Sequence, residues 1–152
     1  MTSVIIARGV SDAAQHIAET TKRNRSFLHK SSAVGHDRLL HGELVEVWEE
    51  CRDPGWDGYK ALPVSQDALL SMKSFLESLP LGFPLPTIAA SPRGHLSVEW
   101  YRSPSRVLSV DVGSDNLLHY AALLGSSRTC GTEIFFDQIP DSILDLAGRV
   151  CS

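Results

Sequence analysis

The chain has 152 residues, 43% of them hydrophobic and 21% charged, which excludes wholesale disorder and leaves room for one core but not two. Its net charge of −4 is segregated, with a net +3 over residues 1–41 and a net −7 over residues 42–152, so the acidic part is a poor ligand for phosphate backbones. No run of eighteen apolar residues occurs, and the first eight residues lack the basic start and long apolar region of a secretory signal; a cytoplasmic place without membrane contact is expected.

Residues 1–35 read as a basic, weakly structured lead-in. Val4-Ile5-Ile6 suits a short strand, and Ser11-Asp12 can cap a helix with a small apolar side at Ala14, Ile17 and Ala18. Lys22, Arg23, Arg25 and Lys30 surround one aromatic, Phe27, before the linker-like Ser31-Ser32-Ala33-Val34-Gly35. Contact with nucleic acid is conceivable only through these four cations, and a solvated arm is the plainer reading.

Residues 36–152 read as a single α+β domain. A helix starting near Asp37 carries Leu40, Leu44, Val47, Trp48 and Cys51 on one stripe. Glu43, Glu46, Glu49 and Glu50 are assigned to the other side, without helical Lys or Arg to pair them, which makes an acidic outer face. Next comes a hinge, Trp56-Asp57-Gly58-Tyr59. Pro54-Gly55 and Asp57-Gly58 are turn dipeptides, so the backbone reverses twice and pins Trp56 and Tyr59 as a buried aromatic plug. A second helix has Ser65 at its N-cap, Asp67 in its first turn and a stripe of Ala68, Leu69, Met72, Phe75, Leu76 and Leu79 that Pro80 ends. Residues 80–86, with three prolines, form an extended crossover.

From Thr87 the apolar period changes from about four to two. Residues 87–90, 95–101, 106–112, 117–124 and 129–136 read as strands separated by Pro-, Gly- and Ser-rich turns too short for anything but antiparallel hairpins. The fold class expected is therefore α+β: a two-layer sandwich in which an antiparallel meander of four to five strands is covered on one face by helices. Leu96, Val98, Trp100, Leu108, Val110, Val112, Ile134 and Phe136 are assigned to the covered face. A short closing helix follows Pro140-Asp141 and uses Ile143, Leu144, Ala147 and Val150.

Alternation places His95, Ser97, Glu99, Tyr101, Ser109, Asp111 and Glu133 together on the opposite, wet face. His95, Glu99, Tyr101 and Asp111 are the catalytic candidates, since a His beside carboxylates can act as an acid/base group with Tyr or Ser as donor or nucleophile. An antiparallel sheet with one solvated face bears such residues in any case. No metal or cofactor is expected: CxxC, HxxxH and HExxH are absent, as is a Gly-rich phosphate loop. His119, in an otherwise apolar strand, reads as a satisfied core or edge histidine. Cys51 and Cys130 read as small buried hydrophobes and Cys151 as exposed, and an odd number of widely spaced cysteines suits a reducing compartment.

Trp56-Asp57-Gly58-Tyr59-Lys60-Ala61-Leu62-Pro63, followed by the second helix, the Pro-rich crossover and Glu99-Trp100, resembles a loose group of small bacterial and phage-borne proteins sharing a W-D-G-x-x-A-x-P motif. The resemblance covers residues 45–136, with Lys60 where a second Gly is expected. It implies a bacterial or phage intracellular origin and a folding motif, and brings no catalytic residue with it. The functional expectation is a non-enzymatic protein-interaction module that binds a protein partner through Glu43, Glu46 and Glu50 or through the wet sheet face, in the form of an anti-defence inhibitor or an antitoxin-like neutraliser. The alternatives are a small hydrolase or transferase centred on His95 and Glu99, and nucleic-acid contact through residues 22–30.

Overall fold

A computed structural model describes residues 36–152; the strand at Val4, the helix after Ser11 and the basic run over residues 22–30 lie outside the described residues. The elements are α1 (His36–Cys51), α2 (Gln66–Glu77), β1 (Thr87–Ala90), β2 (Leu96–Ser103), β3 (Arg106–Val112), β4 (Leu117–Leu124), β5 (Ser127–Ile134) and α3 (Asp141–Cys151). The five strands lie in chain order, every neighbouring pair antiparallel. Helices cover one face, so the architecture is the α+β sandwich that the change of period implies.

Alternation decides which side chains meet the helices. Ile88, Leu96, Val98, Trp100, Leu108, Val110, Val112 and Leu118 are buried on one face. They pack under Leu40, Leu44, Val47 and Cys51 of α1, Ala68, Met72, Phe75 and Leu76 of α2, and Ile143, Leu146, Ala147 and Val150 of α3. In α3 it is Leu146 that is buried, with Leu144 half-buried, because Leu146 falls one turn before Val150 on the sheet-facing side. α1 lies over β1, while α2 and α3 lie over the middle of the sheet.

Local chemistry starts α2 as expected. Ser65 Oγ accepts from Ala68 N–H at 3.1 Å and caps α2. The hinge reverses twice, with positive φ at Gly55 (72°) and Gly58 (80°). Asp57 Oδ1 accepts from Tyr59 N–H at 2.9 Å and Ala61 N–H at 3.1 Å. The loop is tied down at both ends: Val64 N–H donates to Cys51 O at 2.9 Å, and Leu62 N–H donates to Pro92 O at 2.8 Å in the β1–β2 turn. Gly94 in that turn has φ 82° and passes so close to Pro63 O that a Cβ would stand 2.8 Å from it. The Pro-rich crossover is anchored by Trp100, whose Nε1–H donates to Pro84 O at 2.7 Å while Phe83 meets its ring edge-on.

Four further expectations need correction. Trp56 is only half-buried, its Nε1–H donating to Leu62 O at 3.0 Å, and Tyr59 is 78% exposed, so the pair is no buried plug. The turns leave both rings at the surface, and the buried indole is Trp100. Glu43 is buried rather than on the outer face, since it follows Leu40 by three residues and precedes Val47 by four. β5 begins two residues earlier than expected, because a two-residue loop, Gly125-Ser126, closes the hairpin with Leu124 opposite Ser127. That register buries Phe135, against Phe75 at 5.8 Å, and leaves Ile134 and Phe136 exposed. Finally, Cys130 is exposed on β5 and Cys151 is half-buried; only Cys51 is the buried thiol expected.

Candidate functional site

The open face of the sheet is read from the register. One row across it is Ala89, Ser97, Asp111, His119 and Thr132; the next is Thr87, Glu99, Ser109, Ala121 and Cys130. Tyr101, Val107, Leu123 and Arg128 form a third, and His95 lies just beyond the start of β2, level with Leu117 and Ile134. Successive rows are separated by two residues, about 6.6 Å along a strand. His95 and Glu99 are thus about 13 Å apart along β2, and His95 and Tyr101 about 20 Å. The four catalytic candidates His95, Glu99, Tyr101 and Asp111 fall in four different rows and do not converge on one reacting atom.

What the face does bring together is a polar band. Ser97 stands directly opposite Asp111, Asp111 opposite His119, and Glu99 opposite Ser109. His119 Nδ1 and Thr132 Oγ1 share a hydrogen bond at 2.9 Å. His119 and Thr132 were missed as members of this face, although the alternation Leu118 in, His119 out, Tyr120 in marks them. Glu133 is a correction in the other direction. It sits opposite Leu118 on the helix side and accepts from Ser142 Oγ at 3.0 Å at the start of α3.

The outer face of α1 is the second candidate. Glu46, Glu49 and Glu50 are exposed. Among the described residues the ion pairs are Lys73–Glu77 at 3.9 Å and Arg149–Asp145 at 3.9 Å, with His41 Nε2 standing 3.5 Å from Glu77 Oε1, and none of these contacts uses the three carboxylates. α1 also has no basic residue in its last turn, so Glu49 and Glu50 sit at the negative end of the helix dipole, where carboxylates are unfavourable. The nearby Arg52 is held over the Trp48 ring at 5.7 Å. Glu43 is separate from this group: its Oε1 lies 3.5 Å from the N–H of Ile88 in β1. Cys51, at the end of α1, is fully buried, and that burial, with Glu50 adding to it, pushes the thiol from 9.0 to about 12. It is a packing residue, not a nucleophile.

A third feature is a corner of mixed polarity where α2 meets the start of β4 and the end of β5. A shallow cavity of about 220 Å³ there is bordered by Leu70, Ser74, Asn116, Phe135, Phe136 and Asp137. Leu70 and Phe136 are exposed at its rim. Asn116 and Asp137 hold left-handed backbone, at φ 61° and 55°, and Ser78 Oγ donates to Asp137 O at 3.2 Å. No titratable cluster accompanies it, and among the described residues no group of three or more His, Cys, Asp and Glu could hold a metal ion. No described helix is long and apolar enough to cross a membrane.

No family model matches the chain, and neither the curated proteins nor the solved structures compared with it include a significant match.

Proposed function

We propose that this chain is a non-enzymatic protein-interaction module that captures a basic protein surface through the outer face of α1, in the manner of an anti-defence inhibitor or an antitoxin-like neutraliser. One observation carries the reading. Glu46, Glu49 and Glu50 project from the C-terminal half of α1, Glu49 and Glu50 in its last turn, where carboxylates oppose the helix dipole, and no described cation pairs with them. An arrangement that works against stability is retained where a surface has another use. The partner's chemistry follows: a Lys/Arg-rich patch, attracted at long range and released by salt. Glu43, being buried, belongs to the scaffold under this surface.

The test compares the tagged chain with its E46R/E50R variant in affinity capture from a bacterial lysate, washed at low and at high salt. A stoichiometric protein retained by the unaltered chain at low salt, lost from the variant and lost at high salt is the expected result. Equal retention by both chains rules out α1 as the capturing surface.

A further inference from the structure

The sheet has two edges, and they are treated differently. Backbone hydrogen bonding alternates along a strand, so one turn bond sets the parity for the whole ladder. Ser91 N–H donates to His95 O, which turns the odd-numbered groups of β1 toward β2 and the even-numbered ones, Ile88 and Ala90, outward. That edge is short, lies under α1, and has the outward N–H of Ile88 facing Glu43 Oε1. At the other edge, Phe135 N–H donates to Asn116 O, which turns the odd-numbered groups of β5 toward β4. Arg128, Cys130, Thr132 and Ile134 therefore direct both N–H and C=O away from the sheet. β5 is exposed along most of its length, has neither Lys nor Pro, carries charge only at Arg128 and Glu133 near its two ends, and is reached by the helix layer mainly at Ser142–Glu133, so its centre, Thr129–Thr132, is uncharged and uncovered by the described residues. Edges left in this condition are templates for another strand.

We infer that β5 pairs antiparallel with β5 of a second copy of this chain about a two-fold axis through Gly131, extending the meander into one continuous sheet across a dimer. The outward-facing residues are themselves symmetric about Gly131. In this register Arg128 faces Ile134 of the copy and Cys130 faces Thr132, so all four outward residues of each chain exchange both backbone hydrogen bonds. Sliding the copy by two residues leaves one of them unpaired on each chain. Side chains agree with the same register. Arg128 and Glu133 lie on opposite faces of the strand, and each meets an uncharged residue of the copy, Ile134 and Thr129, so no like charges oppose. On the axis Gly131 carries no side chain, and Tyr120 lies over it with its hydroxyl 2.7 Å from where a Cβ would stand. The pairing continues the open face across the dimer but does not use the outer face of α1, and it is independent of the function proposed above.

Sedimentation velocity of the full chain from low micromolar to several hundred micromolar tests this. The expected result is a reversible shift from monomer to dimer mass. T132P, which removes an outward N–H and leaves the β4–β5 ladder bonds intact, should remain monomeric with an unchanged far-ultraviolet spectrum. A second variant does not depend on that substitution being tolerated. T132C puts a thiol opposite Cys130 of the copy, at the Cα spacing of a hydrogen-bonded pair, about 5.5 Å and within disulfide range. It should cross-link into a dimer on mild oxidation, whereas T129C, on the other face of the strand, should not. A chain that stays monomeric throughout, a T132P dimer, or equal cross-linking of T132C and T129C overturns the inference. So does amide-exchange protection at Cys130 and Thr132 that survives dilution to monomer, since the edge would then be covered within one copy.

Discussion

Trp100 and Trp56 show how differently one residue type can be used. Trp100 is 1% exposed, donates to Pro84 O and stands edge-on to Phe83. Trp100→Ala should cost about 3–5 kcal/mol in urea unfolding. Trp56→Ala loses one hydrogen bond and part of a half-buried ring, and about 1–2 kcal/mol is expected. Equal losses would mean that the hinge is packed more tightly than its geometry indicates. Cys51 makes a pH prediction with a definite sign. Its folded thiol stays protonated to about 12 while the unfolded one ionises near 9.0. The unfolded state therefore binds fewer protons between those values, and the contribution, complete below pH 9, is lost as pH rises toward 12. Stability of the unaltered chain should fall more steeply than that of C51A across this window. Parallel curves would remove Cys51 as the cause.

Among the elements, α1 couples stability and surface most closely. Glu43→Arg should cost about 3 kcal/mol or more, because it buries an unmatched cation beside Ile88. Glu50→Arg should instead raise stability by about 0.3–1 kcal/mol, since it places a cation at the helix C-terminus. Thermal melts of the two variants decide this, and a destabilising E50R would overturn the dipole argument. The same helix shows what could be read in the sequence. Its apolar stripe was legible because Leu40, Leu44, Val47 and Cys51 repeat at helical spacing. Glu43 shares the stripe's spacing, but its burial is not legible, because a carboxylate there needs a backbone donor that only the tertiary fold supplies. β3 and β4 are legible to the residue because turn residues bound them, and β3 also alternates cleanly. β5 was not, since Ile134-Phe135-Phe136 is apolar at both parities and the hairpin register, not the pattern, decides which ring is buried. The polar band on the open face was legible as a face but not as a band, because which candidates meet depends on strand pairing.

At the scale of the molecule, the three described helices share one continuous core with the sheet. Residues 36–152 should therefore unfold as one unit, with Trp fluorescence and far-ultraviolet ellipticity changing together in denaturant. Separate midpoints would mean that α1 and the hinge detach from the sheet before it melts. The order of the elements along the chain has a consequence for synthesis. α3 follows all five strands, yet Ile143, Leu146, Ala147 and Val150 close much of the apolar side of β2, β3 and β4. Each hairpin can form as soon as its second strand leaves the ribosome, so the nascent chain displays a nearly complete sheet before its last cover exists. For that interval the emerging polypeptide is a client for chaperones, and a ribosome stalled before Asp141 would hold it there.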